Sequence, residues 1–350
     1  MRRAPTSCRG RKAGVPTAPA ARPRIKLDRF SIAIVGAIIV ASLLPCRGRS
    51  AEGFAAATQL AIAALFFFHG ARLAPQAVRA GIQHWRLHLL ILFCTFGMFP
   101  LLGLALQPLS AALLPPSLRT GLLFLCLVPS TVQSSIAFTA LARGNVAAAV
   151  CSASASSLLG IVLTPALARL TGLTGGGASH SGSAALGIVL QLLLPFLAGQ
   201  LMRPLLVHWV ERHGAKLRLL DQGSILLVIY SAFSGAVVQH AWSQIPVYSM
   251  LSLVPLTALL LAAALLITWQ ASELLGFDER DRIAILFCGS KKSLASGVPF
   301  ASVLFPAHAV SVMVLPLVLF HQIQLLVCAL LAQRHASRAP AVGPGEQTLV

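Results

Sequence analysis

The sequence predicts an all-α polytopic membrane protein of ten transmembrane helices, set as two inverted five-helix repeats with helices four and nine broken. Three observations carry this. First, 57% of the 350 residues are hydrophobic and only 10% are charged, whereas a soluble domain carries roughly a quarter charged residues. A soluble globular enzyme is therefore excluded. Second, apolar runs fill most of the length, which excludes a single-pass or monotopic protein. Third, the basic residues alternate from loop to loop as membrane topology requires.

A span needs about 20 mostly apolar residues. Ten segments qualify, at 30–46, 54–72, 86–106, 118–142, 145–169, 184–203, 222–238, 248–270, 282–305 and 308–332. Their breaks carry Pro, Gly and charge: Arg47-Gly48-Arg49, the Gly175-Gly176-Gly177 run, and the cluster from Asp278 to Arg282.

The chain holds 27 Lys and Arg against 9 Asp and Glu. With the N-terminus inside, 21 of the 27 basic residues fall on the cytoplasmic side. Nine of these precede residue 30; the others include Arg72, Arg79, Arg86, Arg143, Arg203, Arg212, Lys216 and Arg218. Only Arg47, Arg49, Arg119 and Arg169 fall outside. This bias places both termini in the cytoplasm, and the expected location is a bacterial inner membrane. It also assigns the net charge of +18 to orientation rather than to nucleic acid. Residues 1–29 read as a disordered basic tail, serving orientation, targeting or anionic lipid. The transporter domain is 30–332, with repeats at 30–171 and 184–332, and 333–350 is a second cytoplasmic tail. Seven cysteines, an odd number without a CxxC, read as buried hydrophobes rather than a disulfide or zinc framework.

Five spans per half make the second half inverted relative to the first, an arrangement common among secondary transporters. Segment four is interrupted by Pro129-Ser130-Thr131-Val132-Gln133-Ser134-Ser135. Pro129 lacks a backbone donor, so carbonyls are freed that need partners inside protein. Segment nine is interrupted by Gly289-Ser290-Lys291-Lys292-Ser293. Two lysines at mid-membrane cost roughly 2.5–3.5 kcal/mol each on insertion scales, and an intramembrane charge marks a functional site. Successive helical residues point about 100° apart, so both lysines share one pocket only if the helix unwinds. Segment five offers Ser152, Ser154, Ser156 and Ser157, and segment ten offers His321 with Gln322 and Gln324. Hydroxyls at these places suit an ion or, equally, interhelix hydrogen bonds. No Asp or Glu lies within an apolar segment, and Glu273, Asp278, Glu279 and Asp281 read as loop. One enzymatic alternative remains, an intramembrane hydrolase using Ser290 or Ser293 with Lys291 or Lys292. Another is a non-transporting regulator or sensor.

Several motifs occur in order and spacing: Phe68-His69-Gly70-Ala71-Arg72-Leu73, Trp85-Arg86-Leu87-His88, the Pro129–Ser135 run, Ala142-Arg143-Gly144-Asn145, Leu163-Thr164-Pro165, and Cys288-Gly289-Ser290-Lys291-Lys292-Ser293-Leu294-Ala295. On these the chain resembles the bile acid:sodium symporter superfamily, above all its bile-acid-symporter-like branch. The resemblance implies a panel domain and a core domain, with helices four and nine crossing near the bilayer centre. In sodium-coupled relatives two sodium ions sit behind that crossing. Ser134 and Ser135 match a Ser-Asn pair of helix four, with Ser in place of Asn. Ser152 with Ser156, or Ser154 with Ser157, match the hydroxyls of helix five. The helix-nine Glu of those relatives falls on an uncharged residue near Phe287 or Cys288, and Lys291 and Lys292 fall near its Gln.

The expectation is a secondary transporter of a small organic anion, working by alternating access in the lipid bilayer. Its candidate site is Gln133, Ser134, Ser135, Thr139, Ser152, Ser156, Ser290, Lys291, Lys292, Ser293 and His321. No cofactor is expected beyond a possible sodium ion at Ser134, Ser135, Ser152 and Ser156. A sodium site without carboxylate and beside an ammonium is poor, so one of the two lysines is expected to replace a coupling sodium. Coupling then runs on protons or is absent. The oligomeric state is not set by the sequence.

Overall fold

A computed structural model describes residues 29–72, 84–173, 182–239 and 245–338. The basic tail, Arg79 and most of the Gly-rich joint lie outside these residues. Among the described residues the fold is all helical. The elements are α1 (Arg29–Leu43), α2 (Arg49–Arg72), α3 (Trp85–Ala105), α4 (Gln107–Leu113), α5 (Pro116–Leu127), α6 (Val132–Leu141) and α7 (Val146–Leu170). They continue with α8 (Gly182–Arg212), α9 (Gly214–Val238), α10 (Val247–Leu274), α11 (Glu279–Gly289), α12 (Leu294–Leu304) and α13 (Ala307–Arg338).

Each of the ten apolar segments falls on a helix or a helix pair. Seven helices (α2, α3 and α7–α10 with α13) are long and apolar enough to cross a membrane. The pair α5–α6, bent by 59°, makes an eighth. α1 contributes a shorter apolar stretch at Ile32–Leu43, and α11–α12 opens with charge at Glu279–Arg282. Some boundaries move. The break in segment four is only Val128–Thr131, so Gln133, Ser134 and Ser135 lie in the first turns of α6. α8 extends past residue 203 to Arg212, and α9 begins at Gly214 rather than 222. Their polar extensions lower mean hydropathy without ending the helix.

α3 contains a π turn at Cys94–Met98, followed by Pro100. The Phe99 N–H donates to Cys94 O, one residue further back than in an α-helix. Pro100 has no N–H to offer. The Thr95 carbonyl is thereby left without a helical donor.

α2 packs along α8, α1 along α9, and α9 also touches α2, α12 and α13. The α2–α8 seam is close because both helices place glycine there. A Cβ on Gly70 would collide with the Phe196 carbonyl, and one on Gly199 with the Phe67 carbonyl. The other helices surround the two broken pairs, with α13 against α5 and α12, and α7 against α6. The main core runs through Phe66, Phe99, Phe124, Phe300 and Phe320. The six described cysteines are free thiols, and all but Cys46 are buried.

Candidate functional site

The two breaks meet. The Ser293 N–H donates to Pro129 O at 2.9 Å, joining the backbones. Three hydroxyls from the first break and the adjoining turn of α6 reach carbonyls of the second break and the end of α11. Ser130 donates to Cys288 O at 2.6 Å, Ser135 to Phe287 O at 2.9 Å and Thr131 to Lys292 O at 2.8 Å. These carbonyls, freed where the half-helix ends, find donors inside the protein, as a dry environment requires.

The end of α5 shows how three such carbonyls are met. Ser130 N–H turns away to Ser156 Oγ at 3.0 Å, so Cys126 O loses its helical donor. Leu127 O accepts from Thr164 Oγ1 at 3.0 Å. Cys126 O and Val128 O accept from the Lys292 ammonium, each at 2.8 Å. Its third hydrogen goes to Thr95 O, also at 2.8 Å, the carbonyl that the π turn and Pro100 left free. The Phe99 ring lies 4.2 Å from the same nitrogen. An ammonium has three donors, and here all three are used, at the negative end of a helix dipole. The Lys292 backbone is clamped as well, its N–H by Gln324 Oε1 at 3.0 Å and its carbonyl by Gln324 Nε2 at 2.9 Å.

Lys291 leaves the break in another direction. Its ammonium donates to Ser134 Oγ at 3.3 Å and rests over Phe138 at 3.9 Å, with Phe287 at 5.6 Å. Both lysines are 0% exposed. Unwinding at Ser290–Ser293 does occur, yet it separates the two ammonium groups instead of bringing them to one pocket.

A cavity of about 560 Å³ opens beside the crossing. Its core-side wall includes Gln133 and Ser134 of α6, Ser154 and Ser157 of α7, Ser293 and Ser296 at the start of α12, and His321 of α13. Its opposite wall carries His69 and Arg72 of α2, Glu211 of α8, and Arg218 and Asp221 of α9. Of the expected site residues, then, Gln133, Ser134, Ser293 and His321 line one space. Lys291 and Lys292 do not line it. Lys291 touches a lining residue, Ser134, and Lys292 is deeper.

The remaining candidates hold helices together. Ser152 Oγ lies 2.6 Å from His88 Nδ1, and Ser156 accepts from Ser130 N–H. Ser290 donates to Leu286 O, while Ser293 caps α12 by accepting from Ser296 N–H at 3.2 Å. Neither Ser290 nor Ser293 is hydrogen-bonded to a lysine ammonium, so no Ser/Lys dyad is assembled. Thr139 is buried with its hydroxyl unpartnered among the described residues. Gln324 Nε2, a donor only, lies 2.9 Å from His321 Nδ1, which therefore accepts. Ser134, Ser135, Ser152 and Ser156 do not fit a sodium ion. Three of them are engaged elsewhere, no carboxylate joins them, and the Lys291 ammonium stands beside the fourth.

Asp221 is the residue the sequence reading missed. It lies one position before the apolar segment 222–238, yet it is 4% exposed and paired with Arg72 at 2.6 Å. Glu273 and Asp281, read as loop, also hold structure. Glu273 pairs with Arg282 at 3.0 Å, and Asp281 accepts from Asn145 at 2.7 Å.

With that geometry in hand, comparison with known proteins decides the family. The model of the SBF-like CPA transporter family matches residues 28–337. The chain belongs to that family. The uncharacterized protein PA2026 of Pseudomonas aeruginosa is 55% identical over 318 residues, 91% of this chain and 95% of that protein. The Escherichia coli protein named "Putative symporter YfeH" is 48% identical over 309 residues, 88% of this chain and 93% of that one. Sodium/bile acid cotransporter 7 of Rattus norvegicus is 28% identical over 316 residues, 88% and 92% of the two chains. As a member of the SBF-like CPA transporter family, the chain is a multi-pass membrane protein of the transporter class, within the bile acid:sodium symporter superfamily.

Proposed function

We propose that this protein carries a small organic anion across the bacterial inner membrane by alternating access, with an internal ammonium where sodium-driven relatives bind a cation. The chain is read as ten spans in two inverted repeats, 30–171 and 184–332, with both termini cytoplasmic. The anion occupies the cavity beside the crossing. There it meets the N-terminal turns of α6 and α12, the positive ends of their helix dipoles. Ser134 passes the field of Lys291 to the cavity wall.

The observation that carries the coupling argument is the Lys292 cage. Three carbonyls at 2.8 Å with an aromatic face at 4.2 Å is a cation site filled by a covalently attached cation. Such a site needs no ion from solution, and sodium gradients have nothing to load.

Reconstituted vesicles test this. Uptake of a bound anion, found by a thermal-shift screen with and without sodium, is expected to ignore an imposed sodium gradient. Sodium-stimulated uptake that persists in Lys291→Ala and in Lys292→Ala would overturn the substitution of lysine for sodium. Flux itself separates a transporter from a sensor.

A further inference from the structure

The cavity wall opposite the crossing carries the one buried acid among the described residues, Asp221. Its partner Arg72 also lines the cavity. The pair is held by a single contact, Arg72 Nη1 to Asp221 Oδ2 at 2.6 Å. Arg72 Nη2 and Asp221 Oδ1 are both buried, and neither has a hydrogen-bond partner among the described residues. Arg–carboxylate pairs that serve as permanent staples commonly use two parallel bonds. This one leaves half of its bonding capacity unspent, beside a space of about 560 Å³.

We infer that Arg72 and Asp221 form an exchangeable ion pair, in which an incoming organic anion takes Arg72 and Asp221 takes up one proton. The inference rests on the anion-transport reading and deepens it by supplying the coupling ion. A carboxylate or sulfonate that binds Arg72 competes with Asp221 for it. Asp221, buried and deprived of its cation, is then strongly disfavoured as an anion. Protonation at Oδ1, the unpartnered oxygen, removes that charge. The balance is one anion and one proton in, with Arg72 changing partner and Asp221 becoming the neutral acid. Return of the anion to solvent releases the proton and restores the pair.

The other groups around Asp221 fit this role. His69 lies one turn before Arg72 on α2, Glu211 faces from α8, Arg218 from α9 itself, and His321 from α13 across the cavity. The unpartnered Oδ1 of Asp221, buried beside the cavity, is the atom placed to take the proton. Neither core lysine lines the cavity.

Calorimetry on the purified full chain, with taurocholate, benzoate and succinate in buffers of different ionisation enthalpy, tests the exchange. About one proton taken up per anion bound is expected for the wild type at neutral pH, and about none for Asp221→Asn. Asp221→Asn is expected to bind about tenfold more tightly there, because Arg72 is no longer contested. The charge-free variant Arg72→Gln/Asp221→Asn is expected to bind at least about tenfold more weakly than the wild type. It leaves no buried charge unpaired, so with the wild-type proton count it decides the matter even if Asp221→Asn does not fold. Anion binding without proton uptake overturns the exchange and leaves the anion reading standing. So does equal uptake in Asp221→Asn, or wild-type affinity in the double variant. Failure of all three probes to bind the wild type overturns the anion reading and the exchange with it.

Discussion

The breaks at α5–α6 and α11–α12 occupy the same crossing but are made of opposite material. The first is uncharged and offers free carbonyls, because the α5 helix ends there and the Ser130 N–H turns away from Cys126 O. The second brings the charge, the Lys292 ammonium, together with the Ser293 N–H, and takes in return hydroxyl donors from Ser130, Thr131 and Ser135. Neither is tolerable alone in an apolar medium. The first would leave acceptors unsatisfied, and the second would bury a bare cation. Two interruptions that look alike in sequence are thus complementary halves of one polar joint. The same contrast recurs at finer scale between the two lysines. Lys292 spends every donor on carbonyls, while Lys291 has one hydroxyl contact and two aromatic faces.

The largest way to break this complementarity is Lys292→Ala. It strands the carbonyls of Thr95, Cys126 and Val128, and a loss of about 3–5 kcal/mol of stability is expected, by analogy with removing one partner of a buried pair. Thermal unfolding in detergent measures it. Partial recovery by potassium or sodium, but not by a bulky organic cation, would show that the cage accepts a free ion once the ammonium is gone.

Next comes a pair of glycines, Gly160 against the first break and Gly297 in α12 just after the second. A Cβ at Gly160 of α7 would lie 2.9 Å from the Pro129 ring, whereas one at Gly297 of α12 meets the tip of Leu317. The ring is fixed by the break and the leucine tip can rotate. Gly160→Ala is therefore expected to cost about 1–3 kcal/mol, and Gly297→Ala clearly less. Equal melting temperatures for the two would show that the first break yields as easily as a side chain.

A smaller effect is expected from Ser156→Ala, which takes the acceptor from Ser130 N–H. That N–H can fall back towards Cys126 O and compete with Lys292, so a cost near 1 kcal/mol is expected. The double variant with Lys292→Ala should then be non-additive, since both act on the Cys126 carbonyl. Simple additivity would uncouple the two breaks.

The smallest change is expected from Lys291→Met. Replacing a sparsely bonded buried charge by an apolar chain of similar length is often neutral or stabilising, so stability within about 1 kcal/mol of wild type is expected. The two neighbouring lysines would then differ by several-fold in their cost of removal. A loss as large as that of Lys292→Ala would sink the distinction between them.

Much of this was legible beforehand. Pro129 and Gly289 marked both breaks, because missing donors and apolar runs too short to span are local facts. The positions of Gln133, Ser134, Ser293 and His321 along their segments also placed them near the crossing. Ser152 and Ser156 were not separable from Ser154 and Ser157 by spacing. Only the rotation of α7 sends the first two to His88 and Ser130 and the second two to the cavity. The π turn left a single trace in sequence, Pro100, which by itself does not say which carbonyl is freed.

By itself, the sequence determined the solvent in which the chain folds, the helices and the places where two of them fail. Those properties are sums over neighbours along the chain: hydropathy, charge bias and the absence of an N–H at proline. Tertiary structure decided where each charge goes. Lys291 and Lys292 are adjacent in sequence and part in space, while Arg72 and Asp221 are far apart in sequence and share one contact. A charge in a low-dielectric interior is stable only with a partner, and the partner is chosen by packing between distant helices. That choice set two lysines in the core and left the one buried acid among the described residues on the wall of the cavity.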